Sequence, residues 1–180
     1  MRTPAPGSLR RLVALGVIAT LALDLAGCGR SIAAGDPRSS RRGGASARTS
    51  TTAAALEREV FEAVNRHRRA RGLPVLALEP RISRVARAHS AAMAARSVPL
   101  GHAGFDQRLN ALRRVMAFRR SAENVAFNQG HRSPASEAVR GWLASRGHRE
   151  NIEGRYDVTG VGVAINAAGD VYLTQIFVGR

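Results

Sequence analysis

An α+β fold follows from three features of this sequence. Apolar residues recur every three or four positions through the first half of the folded part, and they alternate with small or polar residues near the C-terminus. The length of 180 residues suits one core rather than two. Helices that precede and flank a small antiparallel sheet define an α+β domain rather than a parallel α/β one. No internal repeat is present.

Leu56, Val60, Val64 and His67 set the first helical stripe, which Gly72 ends. After a turn around Pro74, Pro80 suits a first helical position, where its missing N–H has no partner to lose. Ile82, Val85, Ala86, His89 and Met93 then form a second stripe, and His89 reads as a core or half-buried histidine within it. A third helix is expected over Gln107 to Phe118, carrying Leu109, Leu112, Val115 and Met116, followed by a short strand from Val125 to Phe127. Ser133, Pro134 and Glu137 give a helix start: a capping hydroxyl, a proline at little cost and an acid in the first turn. That helix carries Val139, Trp142 and Leu143, with Trp142 expected in the core. Val161, Val163 and Ile165, a turn over Ala167 to Asp170, and Val171 to Val178 make a terminal antiparallel hairpin.

Ahead of this domain the chain reads as an export signal and a tether. Arg2, Arg10 and Arg11 precede an apolar run from Leu12 to Leu23, too short to span a bilayer as a mature helix, which is the layout of a secretory signal peptide. The following Leu25, Ala26, Gly27 and Cys28 resemble the lipobox of bacterial lipoproteins, in which the cysteine is lipidated and becomes the mature N-terminus. Asp24 departs from the apolar character of that region. The organisation expected is a signal peptide over 1–27, lipidated Cys28 with a disordered Arg, Gly, Ser, Ala and Thr tether over 28–54, and a folded domain over 55–180. The protein is then exported and lipid-anchored to the envelope. Gly29 lacks the inner-membrane retention aspartate, so the anchor lies in the outer membrane where two membranes exist. Cys28 is the one cysteine, so the domain is held by packing without a disulfide.

All 28 basic residues are arginine and lysine is absent, which looks like coding bias as much as selection for a basic surface. The arginines are scattered and aromatics make up 4%, so the alternation of charge and stacking that a nucleic-acid platform needs is missing. The partners expected are the membrane through Cys28 and lipid or acidic wall polymer, not nucleic acid.

Three stretches hold residues that chemistry uses, and none reads as a plain helix interior: Gly101-His102, Ala122-Glu123-Asn124, and Gly147 to Ile152 around His148. Two imidazoles and a carboxylate can bind a divalent metal with an open position, or do acid–base work near neutrality. Their spacing matches no local metal motif. The structural alternatives are that Glu123 accepts backbone donors, Asn124 and Asn151 pin loops, and Gln175 satisfies a buried polar contact.

These residues also carry a family resemblance covering Leu56 to Gly179. In order come RxxxGLPxL (Arg68 to Leu76), AxxHSxxMA (Ala86 to Ala94), His102, AENVA (Ala122 to Ala126), a tryptophan helix, SRGHRENI (Ser145 to Ile152), GVGVA (Gly160 to Ala164) and YLTQIF (Tyr172 to Phe177). The set resembles the CAP superfamily, also called SCP, in its compact bacterial form without disulfides. The resemblance implies a three-layer α-β-α sandwich with a central antiparallel sheet, and a cleft formed by His102, Glu123 and His148. Many animal and plant members carry a second acid three residues after the tryptophan; here that place is Ser145. The function expected is a ligand-binding or interaction module of the envelope. Its cleft takes a divalent cation such as zinc, where it takes one, through His102 and His148. The alternative is a metal-assisted hydrolase of peptide or wall polymer with Glu123 as general base. No nucleophile is evident.

Overall fold

The computed structural model describes residues 39–180, so the leader, the lipobox and Cys28 lie outside the described residues. The elements are α1 (Ser39–Ala70), β1 (Ala77–Leu78), α2 (Pro80–Ala94), α3 (Phe105–Arg113), β2 (Arg120–Asn128), α4 (Pro134–Ala144), α5 (Arg146–Glu153), β3 (Val158–Ile165) and β4 (Val171–Gly179). No helix among the described residues is long and apolar enough to cross a membrane.

The strands form one sheet in the order β1-β3-β4-β2. β4 is paired antiparallel on both sides, Ile165 opposite Val171 and Asn128 opposite Val171. The expected antiparallel sheet is corrected at one edge, where the two-residue β1 runs parallel to β3. Ala77 donates to the Asp157 carbonyl at 2.9 Å and Glu79 to that of Thr159 at 2.8 Å. β1 was not expected because a strand this short, lying between Pro74 and Pro80, has no period to read.

Helices cover both faces. On one, Leu56, Val60 and Val64 of α1, Val139 and Trp142 of α4 and Ile152 of α5 pack on Val161, Leu173 and Phe177. On the other, Ile82 and Ala86 of α2 and Leu112 of α3 pack on Val158, Ile176 and Val178. Both faces of β4 are buried along its whole length, which explains its continuous apolar run.

The α1, α2, α4 and β3–β4 expectations hold. Other boundaries move. α3 starts at Phe105 and stops at Arg113, short of Val115 and Met116. β2 is nine residues long, although Arg120 to Asn124 have neither strong strand propensity nor alternation; pairing with β4 imposes the conformation. α5 includes His148, so the third chemical stretch lies within a helix, a correction to the expectation that it is not a plain helix interior. α1 is helical from Ser39, where composition predicts a disordered tether; extending a packed helix costs far less than nucleating one. Among the described side chains, Ala53 and Leu56 are the first to pack on the core.

Two contacts position the site. A Cβ on Gly160 would lie 2.2 Å from the Ser83 nitrogen and one on Gly162 would lie 2.1 Å from the Arg87 nitrogen, so these glycines let α2 lie directly on β3. Ser90 fastens the same approach, donating to the Gly162 carbonyl at 2.9 Å and lying 2.9 Å from the Thr174 hydroxyl. On the opposite face, buried Arg68 donates to the carbonyls of Pro74 at 2.8 Å, Ile152 at 2.7 Å and Gly154 at 2.9 Å. Burial pushes its pKa down.

Candidate functional site: a histidine cleft backed by a buried ion pair

The cleft follows the edge strand β2, where both helical layers reach round the sheet. Glu123 sits within β2 with its side chain only 1% exposed. A carboxylate this far from water needs a partner, and Arg108 of α3 supplies it through a two-pronged pair: Nε to Oε2 at 2.9 Å and Nη2 to Oε1 at 2.7 Å. The rest of the guanidinium is also used, with Nη1 reaching the Ala103 carbonyl at 2.8 Å and His89 Nδ1 at 3.1 Å. Arg108 has no signal in the sequence: it is one of 28 arginines, near the start of an ordinary helix.

His89 is buried, as its stripe predicts. Its Nε2 lies 2.8 Å from the Gly101 carbonyl, which only accepts, so the ring proton is on Nε2 and Nδ1 accepts from Arg108. The ring is therefore neutral. Burial first, and the Arg108 charge with it, pull its pKa below the usual histidine range despite the Gly101 bond.

His102, on the loop before α3, is 52% exposed at the side chain and places Nδ1 3.0 Å from Glu123 Oε1. Glu123, held in the two-pronged pair with Arg108, accepts there, which puts a proton on Nδ1 and leaves Nε2 on the outward side of the ring. His148 of α5 lies across the cleft, with ring centroids 6.4 Å apart and planes inclined by 40°. Burial, then proximity to His102, lower its pKa. Asn124 holds α5 against β2, donating to the His148 carbonyl at 3.1 Å while its Oδ1 accepts from Asn151 at 2.9 Å. Trp142 is core, and its indole donates to the Val125 carbonyl at 3.0 Å, covering the free edge of β2.

The structure thus brings His102, Glu123 and His148 together. Glu123 is bound by side chains rather than by backbone donors. Asn124 and Asn151 tie strand to helix. Gln175 is fully buried and donates to Thr159 at 3.1 Å, while its Oε1 has no hydrogen-bond partner. Ser145 is half-buried at the junction of α4 and α5 and makes no side-chain cap.

Among the described residues no three His, Cys, Asp or Glu side chains are grouped to hold a metal. His102 Nε2 and His148 can supply two ligands. Glu123 lies on the Nδ1 side of the His102 ring, so it fits the carboxylate that orients a ligating histidine rather than a third ligand. With Zn–N bonds of about 2.0–2.1 Å, two imidazoles on one tetrahedral ion need ring centroids closer than the 6.4 Å seen here. Beside the cleft, α2 and α3 enclose an apolar groove of about 430 Å³, lined by Val85, Ala88, Ala92 and Ala111, which reaches His89 and Arg108.

The two lowered imidazoles predict a direction with pH. Between its folded pKa and the unfolded value near 6.5, a histidine binds more protons when unfolded, so stability is complete above that window and falls as pH drops through it. Urea unfolding between pH 5 and pH 8 should show this fall, and His89→Asn should flatten its buried-histidine part. A flat wild-type profile would mean that His89 charges freely in the folded protein.

A three-layer α-β-α domain whose edge strand holds a glutamate between two histidines defines a CAP, or SCP, domain. The chain belongs to the cysteine-rich secretory protein family, matched over residues 61–177. It is 30% identical over 135 residues to the uncharacterized protein YkwD of Bacillus subtilis, covering 72% of this chain and 49% of that protein. Among solved structures, an extracellular SCP-domain protein of Bacillus anthracis aligns with a TM-score of 0.62 at 27% identity, over 73% of this chain and 43% of that one. An outer surface protein of Borrelia burgdorferi shares the fold, with a TM-score of 0.60 at 16% identity, over 70% of this chain and 93% of that one. The chain therefore spans about half the length of YkwD, and less of the Bacillus anthracis protein.

Proposed function

We propose that the chain is an exported, lipid-anchored interaction module of the cell envelope, with its anchor at Cys28 and its recognition site in the cleft. The observation that carries the site is the buried Arg108–Glu123 pair behind the outward-facing His102 ring. It presents a fixed imidazole edge, opposite His148, next to an apolar groove that suits the hydrocarbon part of a lipid, wall fragment or peptide. The likeness to an extracellular SCP-domain protein and a surface protein supports export. A divalent cation, where one binds, would be held by His102 and His148 with Glu123 orienting the His102 ring, and would supply a Lewis-acid centre. The base role considered for Glu123 is unsupported, because both its oxygens are engaged and its side chain is 1% exposed.

Native mass spectrometry of the purified chain tests the cleft. A bound small molecule or metal is expected on the wild type and at much lower occupancy on His102→Ala and on His148→Ala. Equal occupancy on all three chains would place the ligand elsewhere. The anchor is tested independently. Cys28→Ser should abolish acyl labelling and release a soluble or unprocessed form, since stable attachment takes the lipid chains that a modified cysteine carries. Undiminished labelling in that variant would remove the anchor.

A further inference from the structure

We infer that the end of the domain where α1 joins the body is a docking face for an anionic lipid surface. The inference rests on the tethered reading above. Ala53 and Ala54 line a cavity with Ala91 in the last turn of α2 and with Val163, which puts the start of the packed helix beside the C-terminal end of α2. Three loops meet at this end: 95–101 after α2, 129–133 after β2, and 166–170 between β3 and β4. The opposite end, where Arg68, Val75 and Gly179 meet, is about 27 Å away along β4 at 3.3–3.4 Å per residue.

The side chains in these loops and at the adjoining strand ends are what a headgroup region selects. Leu100 is 55% exposed and Phe127, which opens onto this end, is 40% exposed. Buried Tyr172 backs them, with its ring tilted against Phe127 at 5.0 Å between centroids and lining a cavity with Val98, Pro99 and Leu100. Arg96 and Arg132 are exposed beside this apolar surface. The one carboxylate in the three loops, Asp170, is held below the surface and accepts from Asn166 at 2.9 Å, so the two exposed arginines outnumber a single recessed acid.

Arg96 carries a second signal. It sits just past the end of α2 at φ 57°, in the left-handed region where glycine is usual, with Ser97 donating back to the Ala92 carbonyl at 3.0 Å. An arginine kept in a glycine conformation is a local choice made against backbone preference, and the exposed charge it places beside Leu100 is the gain that offsets it. The apolar side chains enter the interface while the two arginines meet phosphate oxygens, an arrangement that ties lipid binding to anionic charge. Residues 39–52 of α1 run on from this end as helix for about 20 Å at 1.5 Å per residue, so the chain leaves the domain beside this face on its way to Cys28.

The test uses the full chain in a Cys28→Ser background, with a polarity-sensitive thiol probe at Leu100→Cys, Phe127→Cys or Val75→Cys. Val75 is 50% exposed at the opposite end and serves as the control. With mixed phosphatidylcholine–phosphatidylglycerol vesicles, the probes at 100 and 127 should shift to the blue, less so at high salt or with phosphatidylcholine alone, while the probe at 75 stays unchanged. At about fivefold per basic residue near an anionic surface, adding Arg96→Gly and Arg132→Ser should lower vesicle affinity by roughly tenfold or more. Silent probes at 100 and 127, or an equal shift at 75, would overturn the inference. So would a concentration-dependent shift without vesicles, which would assign the face to self-association. Acyl labelling of native Cys28 separates the two readings. A labelled chain with a silent face overturns docking alone, and a responding face on an unlabelled chain overturns the anchor alone.

Discussion

Arg108→Ala is expected to destabilise the domain by about 3–5 kcal/mol, the range for removing one partner of a buried ion pair. The reason is what stays behind. Glu123, with its side chain 1% exposed, keeps its charge without a counter-ion, and the His89 Nδ1 and the Ala103 carbonyl lose their donor. Water cannot repair this without opening the edge of β2. Arg108→Lys should recover only part of the loss, because an ammonium is a point donor and cannot match the two-pronged contact while also reaching His89. Adding Glu123→Gln to Arg108→Ala should restore part of the stability, since the orphaned charge is gone. Urea denaturation of the four chains measures all of these terms, and a loss below about 1 kcal/mol for Arg108→Ala would show that the pair behaves as a solvated surface bridge. The same substitution should loosen His102, because its Nδ1 acceptor is the oxygen that Arg108 Nη2 holds at 2.7 Å.

The legible part of the fold is the part with a period. The stripe from Leu56 to Val64, the one from Ile82 to Met93 and the alternation of Val161 and Val163 each report a face turned to the core, and those faces are buried. β2 has no such record, because its residues are chosen for the cleft: Glu123 and Asn124 occupy places where a strand would otherwise carry valine or isoleucine. α5 is obscured for a related reason, being eight residues long with only Ile152 buried, so its helical stripe is a single point. The two histidines and the glutamate were visible from residue types and family order, but Arg108 was not. Pairing a buried acid with one of 28 arginines requires knowing how α3 crosses β2, and nothing local encodes that crossing. The glycines of the GVGVA stretch are the opposite case, since their spacing of two on one strand face marks where α2 lies closest.

The buried Arg68 leads to a second large effect, on the other side of the sheet. Ile152 and Gly154 lie at the C-terminal end of α5, where carbonyls lack intrahelical partners and the helix dipole is negative, and the Arg68 guanidinium caps both. It also holds the Pro74 carbonyl, so one side chain at the end of α1 joins the turn before β1 to the end of α5. Arg68 is 1% exposed, so these carbonyls are satisfied from within the fold and truncation leaves them without the donor built for them. At about 1–3 kcal/mol for each buried group left unsatisfied, Arg68→Ala should cost about 3–5 kcal/mol in all. Its effect on the cleft should be selective. With its far end released, α5 is expected to fray toward His148, so hydrogen exchange should rise over Arg146–Glu153 while the amides of α2 and of β4 at Leu173 to Val178 keep their protection. Arg68→Met, which keeps the stem and loses the donors, should give the same exchange pattern with a smaller packing loss. If exchange instead rises equally in α2 and α5, Arg68 supports the whole core and not the placement of His148. If it rises in neither, the three carbonyls find other donors, and the cleft geometry is set by Asn124 and Asn151 alone.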